Sequence, residues 1–90
     1  MKHYNIQVFG KVQGVFYRAS TCEVANNLEL RGFVRNQPDG SVYIEAEGPD
    51  ERIEQLIAWC KQGPSGAIVQ RVICKEAEVK GFEEFEVVRF

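Results

Sequence analysis

The residues best suited to chemistry lie in one window, Gly10-Lys11-Val12-Gln13-Gly14-Val15-Phe16-Tyr17-Arg18. Glycines on either side of a short loop permit backbone angles that turn successive N–H groups toward one point. Such a run forms an anion-binding concavity, and a helix starting just after it adds the positive end of its dipole. Arg18 closes the window with a planar, permanently charged fork that matches the oxygens of a phosphate. The plainer reading of Arg18 is a surface arginine at a helix start. A cation there faces the positive end of the dipole, however, so the placement favours a nearby anion. Gln13 reads as a brace within the loop, and Val12, Val15 and Phe16 as packing that keeps it rigid. The window is expected to seat a small phosphate-like anion.

Other reactive side chains are weaker candidates. Asn36 enters a turn, where asparagine commonly makes local hydrogen bonds, and taken alone it reads as a turn residue. Its amide both donates and accepts, so it is also able to hold a water. His3, the only histidine, reads as an exposed, inert terminal residue. Ser20 and Thr21 lie near Arg18 but have no histidine or lysine base in the adjacent sequence, so they are expected to satisfy backbone groups. Cys22, Cys60 and Cys74 are an odd number at wide gaps, which suits free core thiols better than disulfides or a zinc site. Glu83, Glu84 and Glu86 read as a solvated edge.

The elements that must position these groups follow from the pattern. Tyr4, Ile6 and Val8 alternate with Asn5 and Gln7, the period of a half-buried strand, and the loop Gly10–Tyr17 follows. From Arg18 to about Leu28, Cys22, Ala25 and Leu28 recur at helical spacing. A second strand is expected near Leu30–Asn36, then a turn at Gln37-Pro38-Asp39-Gly40. A third strand presents Val42, Ile44 and Ala46 on one face and Tyr43, Glu45 and Glu47 on the other, so these two strands form a hairpin. Gly48 as cap, Pro49 at the first helical position and Asp50 and Glu51 in the first turn open a second helix. Ile53, Leu56, Ile57 and Cys60 form its apolar stripe, Trp59 is expected in the core, and Gly63-Pro64 stops it. Ala67–Lys75 reads as a fourth strand and Phe82–Phe90 as a short fifth. This order predicts an α+β chain of the ferredoxin-like βαββαβ type, a mainly antiparallel sheet with both helices on one face.

Ninety residues, 44% hydrophobic and 27% charged, are expected to form one domain, 1–90. A net charge of −2 gives no long-range field for nucleic acid or an anionic membrane, so any anion site must work by local geometry. No apolar run approaches the ~20 residues of a membrane span, and the start lacks a signal peptide's apolar segment. The expected location is cytoplasmic. An RNA-recognition module shares the strand–helix order; Phe9 and Tyr43 are available to it, but the acidic balance and the lack of an aromatic–basic motif count against it.

The loop, Gly32-Phe33-Val34-Arg35-Asn36 and Asp39-Gly40-Ser41-Val42, in this order and spacing, resemble the acylphosphatase family. The resemblance continues through Gly48-Pro49, Gly63-Pro64 and the Phe82/Phe85 ending, so it covers nearly the whole chain. It implies hydrolysis of the carboxyl–phosphate anhydride of acyl phosphates, without a metal or cofactor, to a carboxylate and inorganic phosphate. It further implies that Arg18 binds the phosphate, Asn36 positions the attacking water, and Lys11, Val12, Gln13, Gly14, Val15, Phe16 and Tyr17 form the phosphate loop. Tyr17 departs from the Phe or Met more usual in the family; the change keeps an aromatic ring and is expected to alter packing only. The expected partners are small acyl phosphates and phosphate, and the expected state is a monomer. The alternative is a non-catalytic acyl- or carbamoyl-phosphate-binding module, since such domains also occur inside larger enzymes.

Overall fold

Strand–helix–strand order becomes a single five-stranded sheet in the computed structural model, which describes residues 1–89. The elements are β1 (Lys2–Lys11), α1 (Tyr17–Asn27), β2 (Arg31–Asn36), β3 (Val42–Gly48), α2 (Asp50–Gln62), β4 (Ile68–Ala77) and β5 (Phe85–Val87). The sheet order is β4-β1-β3-β2-β5. β1 is antiparallel to β3 and β4, β2 is antiparallel to β3, and β5 joins β2 in parallel. This is the predicted ferredoxin-like sheet with a short fifth strand added. Ile6, Val8, Val34, Val42, Ile44 and Ala46 project from its helix-covered side and are buried. Ile53, Leu56 and Cys60 of α2 meet them, as predicted. Among the described residues no helix is long and apolar enough to cross a membrane.

Several expectations need correction. The buried stripe of α1 is Tyr17, Thr21 and Ala25, and Cys22 and Leu28 only flank it. The helix starts one residue earlier than predicted, because Tyr17 turns inward: its hydroxyl donates to the Cys60 carbonyl at 2.7 Å, and its ring lies 5.3 Å from that of Trp59. Burial raises the Tyr17 pKa and keeps the phenol neutral. Pro49, not Gly48, precedes α2, its carbonyl accepting from the amides of Arg52 and Ile53, while Gly48 still pairs with Lys2 in the sheet. Of the three free cysteines only Cys60 is fully buried; Cys74 lies exposed on the edge strand.

His3 overturns its reading most completely. It is 0% exposed and lies on the face opposite the helices, with Nδ1 2.6 Å from Glu47 and Nε2 2.9 Å from Glu45. Glu47 also accepts the backbone N–H groups of Lys80, Gly81 and Phe82. Those amides are therefore spent on a carboxylate, and the strand predicted from Phe82 begins only at Phe85. The predicted end of that strand, Phe90, lies outside the described residues.

Candidate active site

β1 and β2 run parallel with β3 between them, so their C-terminal ends fall at the same edge of the sheet. Val42 is the shared partner, facing Val8 on one side and Asn36 on the other. Two strand spacings, roughly 10 Å, therefore separate Asn36 from the strand that feeds the glycine loop. The chain leaves β1 at Lys11, crosses the loop and enters α1, whose first residues line the same cavity as Asn36 at the end of β2.

The two glycines have different jobs. Gly10 belongs to β1 at a bulge, with φ 132°, and a Cβ there would stand 2.2 Å from the Ile68 carbonyl oxygen of β4. It permits close approach of two strands and does not shape the anion loop directly. Gly14, with φ 74° and open space around it, supplies the left-handed turn.

A cavity of about 310 Å³ opens at this edge, lined by Val12, Gly14, Phe16, Tyr17, Arg18, Ala19, Asn36, Val87 and Arg89. Arg18 and Asn36, far apart in sequence, thus share one wall-to-wall space. The first helical hydrogen bond runs from the Ser20 amide to the Phe16 carbonyl, so the preceding amides of α1 have no intrahelical acceptor. No acidic side chain occupies the first turn of α1. The helix end and Arg18 therefore add their positive potentials. The Asn36 side-chain oxygen is buried and has no hydrogen-bond partner among the described residues.

The other predicted loop residues divide. Gln13 is a brace: its amide donates to the carbonyls of Gln37 at 2.8 Å and Ser41 at 2.9 Å, tying the loop to the turn after Asn36. That turn is held by Asp39, whose carboxylate accepts from the Ser41 amide at 2.9 Å and whose pKa is lowered by the Ser41 hydroxyl and amide. Val12 is buried, and Val15 packs partly buried against the core. Lys11 pairs with Ile68 at the end of β1 and does not line the cavity. Phe16 contradicts its predicted packing role: it is 83% exposed and holds φ 63°, ψ 23°. Its neighbours Val15 and Tyr17 pack inward instead, and Phe16 is left outside the core. Thr21 donates to the Tyr17 carbonyl at 2.8 Å, the backbone role expected of it.

Ala19, Val87 and Arg89 also line the cavity, and no local sequence signal marks them. Val87 arrives because β5 pairs with β2, placing it opposite Val34, two residues before Asn36. The alternation at Phe85–Val87 is readable as a strand, but nothing local in sequence names its partner.

Comparison with known proteins agrees with this geometry. A family model described as acylphosphatase matches residues 4–87. An acylphosphatase of Methylococcus capsulatus is 48% identical over 90 residues, covering 99% of this chain and 98% of that one. The crystal structure of the Bacillus subtilis acylphosphatase superposes with a TM-score of 0.96 at 33% identity, covering 99% of this chain and all of that one. A full-length HypF crystallised with phosphate and nucleotide matches with a TM-score of 0.88 at 32% identity, the match covering 98% of this chain but 12% of that one. With its loop, sheet and relatives in agreement, the chain belongs to the acylphosphatase family.

Proposed function

We propose that the cavity at the N-terminus of α1 hydrolyses small acyl phosphates, R–CO–O–PO₃²⁻, to a carboxylate and inorganic phosphate. One observation carries this reading: Arg18, at a helix N-terminus without acidic neighbours, and Asn36, with a buried acceptor lacking a partner, line the same cavity. An unsatisfied buried acceptor costs about 1–3 kcal/mol, a cost that a water donating to Asn36 offsets.

In this mechanism Arg18 and the α1 amides hold the phosphoryl oxygens, where charge redistributes in the transition state. Asn36 orients a water for in-line attack on phosphorus. The P–O bond to the acyl group breaks, its electron pair leaves on the carboxylate, and the water oxygen becomes the fourth phosphate oxygen. Among the described residues lining the cavity there is no histidine or carboxylate, and the Tyr17 hydroxyl is committed to Cys60. The water's proton is therefore assigned to the phosphoryl group itself. A carboxylate leaves readily, so positioning and charge stabilisation suffice without a strong base. Among the described residues no three His, Cys, Asp or Glu side chains are grouped to hold a metal.

The same reading takes residues 1–90 as one domain, supported by a single sheet and a single core, acting as a cytoplasmic monomer without nucleic-acid partners. Three free cysteines suit a reducing compartment. The test is phosphate release from acetyl phosphate by the purified chain in the presence of a chelator. Sustained turnover supports hydrolysis; binding of phosphate without turnover would assign the site to a binding module instead.

A further inference from the structure

Resting on that hydrolase reading, we infer that Phe16 is the specificity-determining contact for the acyl group, and that the site favours acyl phosphates with an apolar, aromatic acyl part. The cavity is two-sided in chemistry. Arg18, Asn36 and Arg89 supply its polar groups, whereas Phe16, Ala19 and Val87 supply apolar surface. Inorganic phosphate has no use for the apolar part; an acyl phosphate, charged at one end and apolar at the other, matches both. At about 310 Å³ the cavity falls at the lower end of the range of small-molecule sites, about 300–1,000 Å³, and leaves room beside a phosphoryl group.

Phe16 itself has no other explanation in the fold. It is 83% exposed, so core packing does not account for it. It stands at the N-cap of α1 without a side-chain capping bond, where Ser, Asp or Asn would serve better. It also holds a left-handed backbone, φ 63°, that a bulky residue rarely adopts. Strain of this kind in a residue that lines a ligand cavity points to use at the site. Both Phe16 and Arg18, the arginine assigned to the phosphate, line the same cavity.

The full chain and its Phe16→Ala, Phe16→Asn and Phe16→Tyr variants are assayed with benzoyl phosphate and acetyl phosphate, with inorganic phosphate as inhibitor. Asparagine tolerates the left-handed backbone, so it separates loss of the ring from strain. The ratio of kcat/KM for benzoyl over acetyl phosphate is expected to fall about fivefold to tenfold in the Ala and Asn variants, and to be retained by Tyr. Inhibition by phosphate should change by much less than that ratio. An unaltered ratio, or equal losses with both substrates accompanied by weaker phosphate inhibition, would overturn the assignment and leave Phe16 a loop-shaping residue. Wild-type chain inactive on both substrates would sink the hydrolase reading itself, and the acyl contact with it, an outcome distinct from an active enzyme with an unmoved ratio.

Discussion

The side-chain amide of Gln13 donates to the carbonyl oxygens of both Gln37 and Ser41, so the anion loop is fastened to the turn that follows Asn36. The two halves of the cavity are thereby held in register by one side chain. Gln13→Ala removes two neutral hydrogen bonds, each worth about 0.5–1.5 kcal/mol, and should destabilise the fold by about 1–2 kcal/mol. It should also lower kcat/KM by about tenfold through loss of alignment. Thermal unfolding and steady-state kinetics on one preparation measure both; unchanged kinetics would mean that loop and turn keep their register without the brace.

Arg18→Lys keeps the charge but loses the two parallel donors of the guanidinium. The expected cost is about 2–4 kcal/mol of transition-state binding, a fall in kcat/KM of roughly 30- to 1,000-fold, with the melting temperature little altered. A folded variant of near-normal activity would place the phosphoryl seat elsewhere.

Asn36→Ala should separate turnover from binding. With the water no longer oriented, kcat should fall by about a hundredfold or more, while KM and competitive inhibition by phosphate move little. Matching losses in kcat and phosphate affinity would instead make Asn36 a phosphate ligand. Full activity would return it to its turn role.

The polar cluster beneath the opposite face should govern acid stability. Burial raises the Glu47 pKa, but His3 and the amides of Lys80, Phe82 and Gly81 outweigh it and hold the carboxyl below its ordinary 4.5. A depressed carboxyl contributes stability that is present above 4.5 and is lost as pH falls through the folded-state value. Unfolding free energy should therefore decline below about pH 4.5, and Glu47→Gln should flatten that decline. Loss of the charge that strengthens the bonds from the amides of Lys80, Gly81 and Phe82 should cost about 1–3 kcal/mol at neutral pH and lower Tm measurably. An unchanged acid limb in the variant would remove Glu47 from the account.

Much of this molecule is local in origin and was legible as such. The alternation at Val42, Ile44 and Ala46, the stripe Ile53, Leu56 and Cys60, and the dipole cost of Arg18 each follow from periodicities or fields spanning a few residues. Pairwise relations across the sheet were not legible. Gly10 is a glycine because β4 approaches it, Glu47 is buried because the chain returns over it at Lys80–Phe82, and Val87 reaches the cavity because β5 chose β2. His3 looks terminal and free in sequence, yet two carboxylates two residues apart on one face of β3 enclose it. Phe16 looks like core by its type, but a ring is buried only where distant segments close over it, and Phe16 stays exposed at the cavity. The residue types and their spacing thus determined which groups carry charge, turn or pack, whereas burial and partnership, which depend on distant segments meeting, were decided only by the tertiary structure.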